Sequence, residues 1–256
     1  MSKVEAVIFD WAGTTVDFGC FAPVQAFVEV FKEFGIEPTM DEVRAPMGML
    51  KIDHIRTMLR MPRIQNCWME KYGKQPDDED AHKLFNIFEE KLIGILHLYS
   101  NPKPGVIDVM QELRQKGINI GSTTGYNDKM MAIVVPAAEE RGYKPDVWFS
   151  PDATNQKGRP YPYMVFRNME ALGVQDVRKV IKVGDTVSDI REGKNAGVLS
   201  AGVVIGSSEM GLTEAEYNAL SEDEREWKCN EVAKKFKEAG ADKIFYTLED
   251  LLAYLR

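Results

Sequence analysis

Short runs of apolar and β-branched residues recur along the chain: VEAVIF (4–9), INIGST (118–123), VWFS (147–150), VIKVGD (180–185), SAGVVIG (200–206) and KIFYT (243–247). Each has the length and composition of a strand. The runs are nearly continuous in apolar positions instead of alternating, and helical patterns separate them. That combination predicts parallel strands covered on both faces, an α/β fold with a doubly wound (Rossmann-like) parallel sheet. Ligands of such sheets bind at the carboxyl ends of the strands.

The spacing of the runs is uneven. More than a hundred residues separate the first two, far beyond one crossover helix, and most of residues 23–98 reads as helical. The pattern predicts an inserted helical cap over residues 21–99 and a core assembled from 1–20 and 100–256. Glycine and proline interrupt the periodicity in FGCFAP (18–23) and YSNPKPG (99–105), the expected hinges. The acidic and then lysine-rich stretch LSEDEREWKCNEVAKKFKEAG (220–240) predicts a solvated helix face.

Composition narrows the function. A chain of 256 residues, 44% hydrophobic, can bury a full core, and a net charge of −8 argues against a nucleic-acid binder. An anionic substrate would need a local cluster of cations. Cys20, Cys67 and Cys229 lack the spacing of a zinc site or a disulfide framework, which suits a reducing cytosol. The N-terminus runs directly into a strand pattern and no apolar run reaches about 18 residues, so neither a signal peptide nor a membrane span is expected.

Chemistry-bearing residues follow the predicted strands. Asp10 ends the first and is followed by Gly13, Thr14 and Thr15, whose backbone N–H groups can hold a phosphate-like anion. GSTTGY after the second offers hydroxyls at Ser122, Thr123 and Thr124. VGDTVSD presents Asp185 and Asp189 four residues apart, a spacing that a helix would place on one face. KGRPYP offers Arg159, with Lys157 as the lesser candidate, for a phosphonate or phosphate group. In APMGMLKIDHIRTM (45–58), Lys51 lies among apolar residues, and Met47, Lys51 and His54 would share one helical face.

Acid, hydroxyl, base and paired acids in this order resemble the haloacid dehalogenase superfamily of phosphotransferases, over the whole chain and including a cap inserted after the first motif. The resemblance implies that Asp10 is a nucleophile forming an aspartyl-phosphate, that Thr124 binds the transferred group, and that Mg²⁺ is the cofactor. Asp10, Asp185 and the backbone carbonyl of Ala12 would hold the ion, with Asp189 supporting its water shell. Substrate contacts would come from Ala12, Gly13, Cys20 and Met47 on one side and from Gly125, Tyr126 and Arg159 on the other.

In the superfamily's phosphatases the residue two after the nucleophile is generally an Asp that protonates the leaving alkoxide. Ala12 cannot do this. A lysine in an apolar pocket can instead lose its proton and form a Schiff base with an aldehyde. The protonated imine beside a C–P bond is an electron sink, so no oxygen needs protonating. The motifs FDWAGTTVDFGCFAP and PMGMLKIDHIR resemble the branch of the superfamily that cleaves C–P bonds of small phosphonate aldehydes through such an imine. That resemblance implies a role in 2-aminoethylphosphonate degradation, His54 as a proton relay, and a homodimer formed through the caps. A small-molecule phosphatase or phosphomutase, with Lys51 as a specificity residue only, is the alternative, and a catalytically silent binding module a more distant one.

Overall fold

The computed structural model describes residues 3–256. Its sheet is parallel throughout, with strand order β2-β1-β3-β4-β5, where β1 is Ala6–Phe9, β2 Asn119–Ser122, β3 Val180–Gly184, β4 Leu199–Val203 and β5 Lys243–Phe245. β1 lies inside the sheet between β2 and β3, and all four of its residues are apolar and fully buried. Successive side chains point to opposite faces: Val7 and Phe9 join one apolar cluster, Ala6 and Ile8 another. Such a strand has no solvent face to give up, which is why its pattern does not alternate.

The third predicted strand is not a strand. Residues 147–150 run beside β2 with a single bridge, Thr123 to Phe149. The carboxylate of Asp146 accepts the Ile120 N–H at 2.7 Å, taking a donor that an edge ladder would use, and Pro145 and Pro151 bound the segment.

Between β1 and β2 lie helices only: α1 Phe21–Glu33, α2 Met40–Arg44, α3 Lys51–Leu59, α4 Pro62–Tyr72 and α5 Asp78–Ile95, then a short 3₁₀ turn, Leu96–Tyr99. Capping boxes begin α2 (Thr39 with Glu42) and α5 (Asp77 with Asp80). α1, α3 and α5 pack together over Phe27, Phe31, Ile55 and Phe88, and this cluster continues without a break into the sheet face at Val7 and Phe9. The chain returns through α6, Val106–Gln115. α7 (Asp128–Glu139), α8 (Tyr163–Ala171) and α9 (Val187–Ala196) connect the remaining strands, followed by α10 (Glu214–Ala219), α11 (Glu222–Glu238) and α12 (Glu249–Tyr254). α11 buries only the stripe Cys229, Val232, Ala233 and Phe236 and leaves its charged face in solvent, as its composition predicts.

The two segments that join helices 21–99 to the sheet are themselves paired. Val16 bridges Pro102, the Lys103 N–H donates to the Thr15 carbonyl at 2.9 Å, and the Asp17 N–H to that of Asn101 at 3.3 Å. No helix among the described residues is long and apolar enough to cross a membrane.

Candidate active site

Register places the candidate residues. Phe9 lies opposite Ser122 on one side and Val183 on the other, so the residues following β1, β2 and β3 leave the same edge of the sheet. Asp10, Thr124 and Asp185 emerge there together. Carboxylate oxygens of Asp10, Asp185 and Asp189 lie within 4.8 Å of one another, and all three residues are buried. The helical reading of Asp185 and Asp189 is corrected: α9 starts only at Val187, with Thr186 as its N-cap, so Asp185 belongs to the strand end and Asp189 to the first helical turn.

The loop after Asp10 needs its glycine. Gly13 has φ +87°, and a Cβ there would stand 2.0 Å from Asp185 Oδ2, so only glycine lets the loop fold against that carboxylate. Asp185 also accepts from the Thr14 hydroxyl at 3.2 Å and the Ser208 N–H at 2.7 Å. Burial, and then the negative charges of Asp10 and Asp189, push its carboxyl well above the ordinary range. Crowded carboxylates whose charges oppose one another offer oxygen ligands that suit a hard divalent cation such as Mg²⁺. Asp189 is largely committed elsewhere, to Lys182 at 2.7 Å, Arg159 at 3.2 Å and the Thr186 hydroxyl at 2.6 Å. Burial would raise its carboxyl, but the two cations bring it below its usual value.

Arg159 is the buried cation of the site. Its Nη2 donates to Asp10 Oδ1 at 2.5 Å and to the Thr123 hydroxyl at 2.8 Å, and its Nε to Glu192 Oε2 at 3.0 Å. Burial alone would weaken its charge, but Asp10, Asp189 and Glu192 hold it firmly protonated. Lys157, by contrast, is exposed, with its ammonium against the Tyr163 ring. Of the three hydroxyls after β2, only Thr124 reaches the cavity; those of Ser122 and Thr123 bond to the Phe9 carbonyl and Glu192.

Over this edge lies the segment leading into α3. Gly48, at φ +83°, sits so close to Thr186 that a Cβ would meet its Oγ1 at 2.3 Å. The contact brings α3 and its first residue, Lys51, onto a small cavity shared with Asp10, Ala12, Cys20, Gly48, Thr124, Gly125, Tyr126, Arg159 and Thr186. Lys51 is 4% exposed, and its ammonium faces the rings of Tyr126 (5.1 Å) and Phe27 (5.9 Å). It forms no ion pair among the described residues. Burial is the main cause that lowers its pKa.

The remaining candidates divide. Cys20 and Tyr126 line the cavity, and burial keeps both in their protonated forms. Met47 is buried but does not line it: α3 begins at Lys51, so Lys51 and His54 share that helix three residues apart, as expected, while Met47 lies before it and is not on their helical face. His54 packs on Phe27 with ring centroids 3.8 Å apart and reaches the Val43 carbonyl through Nε2 at 2.9 Å. That contact places the proton on Nε2 and leaves Nδ1 bare and without a partner. Burial, aided by Lys51, holds the ring neutral.

Several buried charges escaped the motif reading. Lys182 stands fully buried in β3, Glu192 in α9, and Lys103 reaches from the second linker to the carbonyls of Gly13 (2.6 Å) and Ile205 (2.9 Å). A lysine inside an apolar strand run was itself a signal, because a buried ammonium requires anionic or carbonyl partners.

The chain is similar to known proteins over most of its length. A family model described as haloacid dehalogenase-like hydrolase matches residues 4–197. The chain is 51% identical to the phosphonoacetaldehyde hydrolase of Lysinibacillus sphaericus over 97% of its own length and 93% of the relative's. It is 51% identical to a bifunctional phosphonoacetaldehyde hydrolase/aminoethylphosphonate transaminase of Clostridioides difficile, of which it spans 39%. The crystal structure of a phosphonoacetaldehyde hydrolase-like protein from Oleispira antarctica superposes with a TM-score of 0.95 at 40% identity, covering 99% of this chain and 92% of that one. The chain is therefore an enzyme that belongs to the haloacid dehalogenase-like hydrolases and, within them, to the phosphonoacetaldehyde hydrolase family.

Proposed function

We propose that the enzyme hydrolyses the C–P bond of phosphonoacetaldehyde to acetaldehyde and phosphate, with Lys51 forming a Schiff base and Asp10 an aspartyl-phosphate. One observation carries the reading: a buried lysine without an ion-pair partner opens onto the same small cavity as Asp10, while an alanine occupies position 12. Neutral Lys51 adds to the aldehyde carbon and water is expelled, leaving an imine that is then protonated. Asp10 attacks phosphorus, and the electron pair of the C–P bond moves into the iminium, giving an enamine. No alkoxide departs, so position 12 needs no acid.

The enamine takes a proton at carbon, and water releases acetaldehyde from Lys51. A further water hydrolyses the aspartyl-phosphate, so the net reaction consumes one water. Thr124, Arg159 and the N–H groups after Asp10 would hold the phosphonate oxygens, with Gly13 and Gly125 giving the backbone room to approach. His54 would relay a proton at its bare Nδ1, against the burial and the Lys51 charge that disfavour its charged form. Cys20 and Tyr126 shape the aldehyde end, and Met47 supports the wall from behind. Asp10, Asp185 and the Ala12 carbonyl would bind Mg²⁺, with Asp189 acting through water. The ion would supply charge neutralisation between nucleophile and phosphonate.

Residues 21–99 would serve as the cap that carries Lys51 over Asp10 and excludes water during turnover. Exposed Met40, Met69, Tyr72 and Leu98 on that segment support a homodimer through the caps. The fusion named for the Clostridioides difficile relative supports 2-aminoethylphosphonate as the source of the substrate. Three free thiols fit a reducing cytosol.

Sodium borohydride tests the mechanism. Reduction in the presence of phosphonoacetaldehyde should add a two-carbon unit to Lys51, read by peptide mass spectrometry, and Lys51→Arg should abolish both the adduct and acetaldehyde release. Full turnover by Lys51→Arg would leave the phosphatase or phosphomutase reading in its place.

A further inference from the structure

Glu192 is fully buried, one turn beyond Asp189 in α9, and no step above uses it. Its Oε2 accepts from Arg159 Nε at 3.0 Å and from the Thr123 hydroxyl at 2.9 Å, with Lys182 Nζ at 3.6 Å. Thr123 in turn accepts from Arg159 Nη2 at 2.8 Å. Its other oxygen, Oε1, has no hydrogen-bond partner among the described residues. A buried carboxylate with one bare oxygen is costly, and nothing about packing alone requires it.

The geometry around Arg159 supplies the reason. A guanidinium has five donors in a fixed fork, and a group that grips the Nε edge determines where the two Nη groups point. Here Glu192 holds Nε, Nη2 is shared between the Thr123 hydroxyl and Asp10, and Nη1 points to the Gly48 carbonyl at 3.4 Å. Arg159 thus divides its charge among Asp10, Asp189 and Glu192. Without Glu192, the pull of Asp10 would be less opposed and the guanidinium would close onto the nucleophile.

We propose that Glu192 is a positioning residue that holds Arg159 by its Nε edge, so that the Nη edge stays free to leave Asp10 and bind the phosphonate oxygens of the substrate. The proposal rests on the reading of Arg159 as the phosphonate ligand. Lys182 is the matching countercharge: it ties Asp189 at 2.7 Å and stands 3.6 Å from Glu192, where with Arg159 it opposes the burial that raises the Glu192 carboxyl.

Calorimetric titration of inorganic phosphate into the Mg²⁺-loaded enzyme tests it, together with steady-state kinetics. Glu192→Gln should weaken phosphate about tenfold and raise KM by a similar factor, with a smaller fall in kcat, because a charge-assisted bond is lost while the shape is kept. In an Arg159→Met background the same substitution should change phosphate affinity less than about twofold, since its effect passes through Arg159. If Glu192→Gln does not fold, Glu192→Gln with Lys182→Met keeps the net charge and should show the same loss. Wild-type phosphate affinity in Glu192→Gln, or an undiminished effect in the Arg159→Met background, would overturn the proposal. Unchanged phosphate binding by Arg159→Met alone would overturn the reading of Arg159 and this inference with it.

Discussion

At Ala12 a single missing carboxyl group separates two chemistries. Ala12 lines the cavity that Lys51 and Asp10 share, so an acid placed there would stand in the same small space as the ammonium. An opposite charge favours the protonated amine, and each unit of upward shift removes about tenfold of the neutral form. Ala12→Asp should therefore lower acetaldehyde release by roughly 100-fold near neutrality, with the pH profile moved to higher pH. A turnover assay across pH checks this, and an unchanged profile would sever Ala12 from the state of Lys51. The motif residues Asp10, Thr124 and Asp185 were readable because each follows the end of a strand directly or nearly so, and Arg159 because it stands in the short motif KGRPYP. Thr123 was marked only as a hydroxyl and Glu192 not at all, since their partner Arg159 lies 36 and 33 positions away and only the fold joins them.

Among the elements, α1 depends on a residue outside itself. Cys20 precedes it in the left-handed region and supplies no side-chain cap. Asp17 takes over that role, accepting the N–H groups of Phe21 (3.0 Å) and Ala22 (3.1 Å). Burial raises its carboxyl from 3.8 to about 7, against the pull of those two N–H groups, Arg44 and Lys103. A carboxyl raised on folding stabilises the protein fully below pH 3.8, and that contribution is lost as pH rises through about 7. Asp17→Asn removes the titration. Between about pH 5 and pH 8, its stability relative to the parent should improve by roughly 2 kcal/mol, measured by urea unfolding at each pH. A constant difference would show that Asp17 does not titrate there. The sequence marked this segment as a hinge through its glycine and proline, but the pairing of both linkers required the returning chain at residues 101–103.

For the molecule as a whole, the carboxylate cluster sets a balance between protons and metal. Asp185 binds its proton more tightly when folded, so the metal-free protein loses that stabilisation as pH rises above the ordinary carboxylate range. A divalent cation offsets the same repulsion by binding only the folded form. Mg²⁺ should raise the melting temperature, more at pH 8 than at pH 6, and a chelator should reverse the gain. Thermal unfolding with and without Mg²⁺ reads this directly; an equal shift at both pH values would mean that protons and metal do not share the site.

The sequence by itself determined the parallel α/β sheet, the long helical insertion and the strand-end acids, because these depend on patterns within about ten residues. The tertiary structure alone decided that residues 147–150 run beside the sheet without joining it, since Asp146 diverts a ladder donor. It also decided that Met47 stands outside the cavity, because α3 starts at Lys51. The placement of Lys103, Lys182 and Glu192 was likewise a tertiary matter. A charge can stay buried only where distant segments bring partners to it, and no local pattern records which segments will meet.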